Sequence, residues 1–261
     1  MAFTVHAVMP GVWHIVDCMG VCMTLLEGEN AAMLVDTGYG IEDVADFMRH
    51  MTDLPLTVFL THNHHDHAMG ARCFPETYML EADMADWDIF TNDKMRRRVL
   101  TQAIGKNQTV DEKTFLAGEI PLPKVMKPGV IDLGGLTAEI IEAPGHTPGS
   151  AVVYVPERKL LLSGDDWNPC TWLFFPQALG LREYRSNMRG IQQLPFEKVL
   201  CPHREALYDR WMFDDFFNAL TDGNLRAAEP VNIAPYEQID TCQATLPHDQ
   251  VFVFDWAKSG L

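Results

Sequence analysis

Basic residues are scarce in this sequence. Its 261 residues carry 20 Lys and Arg against 36 Asp and Glu, a formal net charge of −16 at pH 7. The average field therefore repels polyanions, and nucleic acid is not an expected partner unless a local basic patch or a metal ion reverses that field. No apolar run approaches the roughly 18 residues that a membrane span needs, so no membrane partner is expected either. Met1 to Pro10 lacks the basic segment, apolar core and small-residue cleavage site of an export signal, which predicts a cytoplasmic protein. CxxC pairs are missing too. The six cysteines (Cys18, Cys22, Cys73, Cys170, Cys201 and Cys242) are scattered, which suits small buried thiols better than a disulfide framework. There is no repeat of 20–50 residues and no low-complexity tract.

What is present is an ordinary globular balance, 47% hydrophobic and 21% charged residues, at a length that fits one large α/β domain spanning residues 1–261. Short apolar runs at Val12–Val16, Val21–Leu26 and Ala31–Val35, separated by turn residues such as Gly28, Glu29 and Asn30, predict consecutive strands. The spacing of Ile41, Val44, Ala45 and Met48 is helical, and Leu56–Leu60 is again a strand-type run. Further strands are predicted at Thr77–Leu80, Leu136–Ile141, Ala151–Val155, Lys159–Leu162, Lys198–Leu200 and Val251–Phe254. Helices are predicted at Leu181–Leu194 and Ala206–Leu220. Residues 82–129 begin with helical spacing and end in a stretch rich in Pro and Gly, and they read as a helical insertion.

Directly after the Leu56–Leu60 run comes Thr61-His62-Asn63-His64-His65-Asp66-His67. Four imidazoles and a carboxylate in seven residues need a reason. With 10 His in the chain, a fixed frame of three His and one Asp arises by chance in about one such chain in a thousand. Neutral imidazole and carboxylate form a good ligand mixture for divalent zinc, and also for iron or manganese. Residues two apart in an extended loop face the same side, so His62 and His64 can share one ion, with Asp66 and His67 further along for a second.

His62, His64, Asp66 and His67 match the HxHxDH signature residue for residue, and the chain resembles the metallo-β-lactamase superfamily. Other elements of that family follow in its order. Asp36 in Val35-Asp36-Thr37-Gly38 matches the acidic residue ending an early strand. Gly145-His146-Thr147-Pro148-Gly149 matches the second histidine motif, Ser163-Gly164-Asp165 the bridging aspartate, and His203 the last ligand. Pro202-His203-Arg204 departs from the glycine-flanked histidine common among relatives. The resemblance spans roughly residues 11 to 205. It implies a four-layer αββα sandwich, a first metal on His62, His64 and His146, a second on Asp66, His67 and His203, and Asp165 bridging both. Asp36 would orient the histidine loop. Asp166 competes with Asp165 for the bridge, and His65 is expected to face outward.

Two dications ~3.5–4 Å apart hold a water, lower its pKa toward neutrality and polarise the attacked oxygen. The resemblance therefore implies a binuclear metal-dependent hydrolase with two divalent ions, most simply Zn2+ with Fe or Mn as alternatives, and Asp66 as the residue that orients water and passes a proton. Its expected substrate is a small molecule with an ester-like bond, a thioester as for glyoxalase II-like relatives or a lactone. Two other readings are a mono-iron dioxygenase of the persulfide dioxygenase type and a non-catalytic metal-binding protein. The aromatic loop Trp167–Phe175 leaves the Asp165 turn, so Trp167, Trp172 and Phe174 are expected to line the substrate pocket. Trp87, Phe90 and Met95 would face inward if the insertion covers the site, whereas dimer packing would turn it toward a second copy of the chain in a homo-oligomer.

Overall fold

The structure, a computed structural model, describes residues 3–261. Seven strands form the first sheet in chain order: β1 (Thr4–Met9), β2 (Val12–Val16), β3 (Cys22–Glu27), β4 (Ala32–Val35), β5 (Leu56–Phe59), β6 (Tyr78–Met79) and β7 (Lys124–Val125). The first four are an antiparallel meander, and β4 to β7 run parallel. The second sheet contains β8 (Gly129–Asp132), β9 (Thr137–Glu142), β10 (Ala151–Val155), β11 (Leu160–Leu162), β13 (Lys198–Leu200) and β14 (Tyr208–Asp209), in the order β14-β13-β11-β10-β9-β8. A third sheet joins β12 (Cys170–Leu173), β17 (Gln250–Asp255), β16 (Thr241–Leu246) and β15 (Glu229–Pro230).

Why the layers stack follows from side-chain alternation. In β10, Ala151, Val153 and Val155 meet Met33, Val35 and Phe59 of the first sheet between the two sheets. Val152 and Tyr154 point the other way, into a cluster with Tyr184, Met188, Phe213 and Phe216. With both faces buried, β10 reads as an unbroken apolar run rather than an alternating one. The outer layer on that side is made by the helices Leu181–Ile191 and Arg210–Ala219. On the first sheet, Leu25, Leu34 and Val58 pack against Val44 and Met48 of the helix Val44–Met51. That helix starts at Asp43, whose side chain accepts from the Asp46 amide and satisfies one of the free donors of the first turn. Helix, sheet, sheet and helix are the four layers expected.

The third sheet is an addition to that expectation. Its Ala244, Leu246, Phe252 and Phe254 extend the outer core around Tyr184 and Phe216. Residues 82–129 also differ from a purely helical reading. A 3-10 turn at Glu81–Asp86 and the helices Trp87–Thr91, Asp93–Gly105 and Glu112–Phe115 are followed by β7, which closes the first sheet. Val99, Leu100, Ala103 and Phe115 bury against Leu60, Ala68 and Met69, so these helices pack on the histidine segment of their own chain. No described helix is long and apolar enough to cross a membrane.

This topology collects strand ends. β9 and β11 both run antiparallel to β10, so they are parallel to each other, and β13 is parallel to β11. The residues following β9, β11 and β13 therefore leave the same edge, where those following the parallel pair β4 and β5 also emerge.

Candidate metal centre

His62 to His67 follow β5, His146 follows β9, Asp165 follows β11 and His203 follows β13. Three overlapping groups form there: His62, His64 and His146; His62, His67 and Asp165; Asp66, His67 and His203. Within each, the ligand atoms lie within 4.8 Å of one another. Asp165 stands between the groups, with one oxygen 3.5 Å from His67 Nε2, the other 3.5 Å from His146 Nε2, and His203 Nε2 at 3.1 Å. Asp66 Oδ2 lies 3.8 Å from His67 Nε2 and 3.7 Å from His203 Nε2.

The outer nitrogens define which ring atoms are free. His146 Nδ1 lies 2.7 Å from the Trp172 carbonyl, which can only accept, so Nδ1 carries the proton and Nε2 keeps its lone pair. His67 Nδ1 donates to Asp36 Oδ2 at 3.0 Å. The Thr61 hydroxyl gives its proton to Asp36, 2.9 Å away, and therefore accepts from His62 Nδ1 at 3.1 Å. All three rings thus turn an Nε2 lone pair inward. His64 is reversed, with Nδ1 2.8 Å from His146 Nε2 and Nε2 2.6 Å from the Gln177 amide. For Nδ1 to bind a cation, Nε2 must hold the proton and Gln177 must present its amide oxygen to it.

Asp36 is held by more than one contact. It also accepts from the Thr61 amide at 2.7 Å, and its own backbone is left-handed, φ 65°, unusual for a residue with a side chain. Such strain persists where neighbouring bonds over-determine it.

Charge in the site separates into two halves. Burial and the neighbouring imidazoles push His62 and His64 well below the usual histidine range, and burial also lowers His146. These rings are neutral, the state that ligates. Burial works in the same direction at His67 and His203, but Asp165 and Asp66 override it and hold both above that range. Burial would raise Asp66, yet His67, His65 and His203 bring it down to about 2. The carboxylates thus demand positive charge. His62 Nε2, His67 Nε2 and Asp165 Oδ1 are buried without any hydrogen-bond partner, an arrangement costly for a purely structural cluster. The donor set fits a pair of divalent cations.

Above the centre is a cavity of about 460 Å³ whose walls include Tyr39, Phe90, Arg98, Trp172, Phe175 and Tyr236. Phe90 and Phe175 stand 4.5 and 4.8 Å from the His64 ring.

The family model for the metallo-beta-lactamase superfamily matches residues 16–203. The chain belongs to that superfamily. It is 26% identical over 202 residues to an acyl-coenzyme A thioesterase, MBLAC2, of Gallus gallus, covering 69% of this chain and 70% of that one. It is also 26% identical over 149 residues to the probable metallo-hydrolase YqgX of Bacillus subtilis, 54% of this chain and 63% of the other. A metallo-beta-lactamase from Pontibacter korlensis shares the fold with a TM-score of 0.61 at 17% identity, over 84% of this chain and 99% of that one. The sec-alkylsulfatase Pisa1 from Pseudomonas sp. does so with a TM-score of 0.62 at 17% identity, over 85% and 43%.

Around this superfamily fold several residues stand apart from where the sequence suggested. Trp172, 36% exposed, does reach the cavity. Trp167 does not: it is fully buried, packs on Tyr208 and Phe213, and donates to Gln250 at 3.2 Å. Phe174 is also fully buried, stacked behind Phe175. Trp167 precedes β12 and Phe174 follows it, so that strand places neither side chain, and closeness to Asp165 in sequence does not put each aromatic on the cavity. Of the three aromatic and Met residues expected to face inward from residues 82–129, Phe90 lines the cavity, while Trp87 and Met95 pack in a separate apolar cluster. His65 does not face outward; it is half-buried beside Tyr39 and Asp66. Asp166 is turned from the centre, accepting from the His146 amide at 3.0 Å, which leaves Asp165 among the imidazoles.

Asp83 and Gln177 escaped sequence reasoning. Buried Asp83 accepts from the Gly149 amide at 2.6 Å, the Thr147 hydroxyl at 2.7 Å and the Asn63 amide at 3.2 Å. It ties the His62–His64 segment to the His146 loop. A Cβ on Gly149 would come within 2.6 Å of the Asp83 nitrogen, so that loop needs glycine there. Neither residue has a motif around it that could have signalled its role.

Proposed function

We propose that this superfamily member is a binuclear metal-dependent hydrolase acting on an ester-like bond, a thioester in the first place and a lactone in the second, of a small molecule. The observation that carries the reading is the arrangement of two ligand groups about one carboxylate, Asp165, beneath a cavity of ligand size. His62, His64 and His146 would hold one ion, Asp66, His67 and His203 the other, and Asp165 would touch both. Bound there, the pair supplies a Lewis acid for the scissile carbonyl and a water acidified toward neutral pH.

The chain's own residues do the rest. Asp36 and Thr61 fix His67 and His62, and the Trp172 carbonyl fixes His146, so the ligands are positioned before any substrate arrives. Asp66, half-buried on the cavity wall and held ionised by His67, His65 and His203, is the carboxylate able to take a proton at its free oxygen and pass it to the leaving group. Phe90, Trp172 and Phe175 exclude water from one side of the cavity. The thioester choice draws support from the likeness to the acyl-coenzyme A thioesterase.

The test is a hydrolysis screen of thioesters, lactones, phosphodiesters and β-lactams with metal content measured on the same sample. Turnover of thioesters or lactones with two zinc, iron or manganese ions per chain is the expected result. One iron per chain without hydrolysis would overturn it in favour of a mono-iron dioxygenase, and two ions without turnover of any ester would point to a binding protein.

A further inference from the structure

The cavity is not uniform. Phe90 stands against His64 and Phe175 against both His64 and His146, and Trp172 adjoins Phe175 to complete an aromatic wall. The cavity lining also includes two cations, Arg98 and Arg204, the second next in sequence to His203. Arg98 belongs to a run of three arginines in the helix Asp93–Gly105. Arg96 and Arg97 both pair with Asp93, at 3.8 and 2.8 Å. Arg98 forms no ion pair or hydrogen bond among the described residues, although acidic residues outnumber basic ones 36 to 20. The helix is fixed in rotation by its buried stripe of Arg96, Val99, Leu100 and Ala103, which sets half-buried Arg98 and, one turn on, Gln102 toward the cavity. Asp66 and Asp165 have His67 and His203 as their partners and do not consume the guanidinium.

We infer that the cavity takes an amphiphilic ester whose apolar part lies on Phe90, Trp172 and Phe175 and whose other end bears a carboxylate held by the Arg98 guanidinium, with Arg204 adding to the field at the mouth. The inference rests on the hydrolase reading above. A guanidinium matches a carboxylate with two parallel N–H bonds, and a charge-assisted pair of this kind favours the anionic substrate by about ten- to a hundredfold. The carboxylate can belong to the acyl part or to the leaving group.

Three thioesters separate these cases: hexanoyl N-acetylcysteamine, neutral at both ends; adipoyl N-acetylcysteamine, anionic on the acyl end; and the hexanoyl thioester of mercaptopropionate, anionic on the leaving group. The metal-loaded protein is expected to prefer one anionic ester to the neutral one by about tenfold or more in kcat/KM. Arg98→Gln should remove that preference through KM. Arg97→Gln, which deletes the same charge one residue away on the exposed side, should retain it. Calorimetry of adipate against hexanoate, and of 3-mercaptopropionate against N-acetylcysteamine, supplies a readout independent of turnover, with the anionic member of one pair expected to bind more tightly to the wild type and to lose that advantage in Arg98→Gln. Equal hydrolysis of charged and neutral esters, or a preference that survives Arg98→Gln, overturns the inference. If no thioester is hydrolysed, the thioester reading falls, and the calorimetry alone decides: equal binding within both pairs overturns the anion site, and an Arg98-dependent difference in either pair upholds it.

Discussion

Replacing Asp83 with alanine is expected to cost about 3–5 kcal/mol of stability and to weaken metal uptake, although Asp83 touches no ligand atom. The side chain satisfies three donors, the amides of Gly149 and Asn63 and the hydroxyl of Thr147. Each buried donor left without an acceptor costs about 1–3 kcal/mol, and the three share one relaxation, so the total falls below their simple sum. In a protein of this size that corresponds to a fall in Tm on the order of 10 °C. Asp83→Asn keeps one acceptor oxygen and sets an amide NH2 against the Asn63 N–H, which should cost about 1–3 kcal/mol. The two variants also report on charge. Burial pushes the Asp83 carboxyl above its ordinary value of 3.8. The native state then binds more protons than the unfolded chain between 3.8 and the raised value, so the contribution of this carboxyl is fully present below 3.8 and is lost as pH rises through the raised value. The wild-type advantage over Asp83→Asn should accordingly widen as pH falls through that window. Urea unfolding of both proteins at several pH values, with zinc affinity measured alongside, makes the comparison. A loss below about 1 kcal/mol for Asp83→Ala with unchanged zinc affinity would refute the reasoning.

Asp66→Asn should fold normally, keep one metal ion and lose at least about a hundredfold in kcat, measured with metal content on the same preparation; near-wild-type turnover at full metal content contradicts the proton-passing role. Metal uptake by the metal-free protein should release protons, because the carboxylates hold His67 and His203 above the usual histidine range and both must be neutral to ligate. Affinity should therefore rise with pH through those raised values, and calorimetry in buffers of different ionisation enthalpy should count more than one proton per chain. Trp172→Ala should raise KM for apolar esters about tenfold more than for small polar ones with metal content intact; an equal rise for both would assign Trp172 to packing alone.

The residues that gather at the candidate centre were legible because each follows a strand, and the spacing within His62–His67 is a local property that needs no tertiary information. Asp36 was legible for the same reason. The side of the chain on which an aromatic falls is another matter. Trp167 and Trp172 sit in one short segment, yet the first packs on Phe213 and the second reaches the cavity. Trp172 is placed by the pairing of β12 with β17, a partner distant in sequence, whereas Trp167 lies before that strand and is tied to Gln250. Thr241–Leu246, half polar in composition, becomes a strand only by pairing with β17, which explains why the third sheet was not foreseen. Asp83 illustrates a further limit: three donors converge on it from two loops, and no single stretch of sequence contains that arrangement.

The parallel pairing of β12 with β17 has a consequence for how the protein is made. The Trp172 carbonyl that fixes His146 lies in β12, whose neighbour in the sheet is the strand Gln250–Asp255. During synthesis every candidate ligand, the last being His203, leaves the ribosome before that strand does. The nascent chain thus carries the full set of candidate ligands while β12, the strand that bears one ring's brace, still lacks its sheet partner. Ribosome-stalled chains ending shortly before Gln250 should bind metal loosely and exchange it freely, and the centre should set only once residue 255 is free to dock.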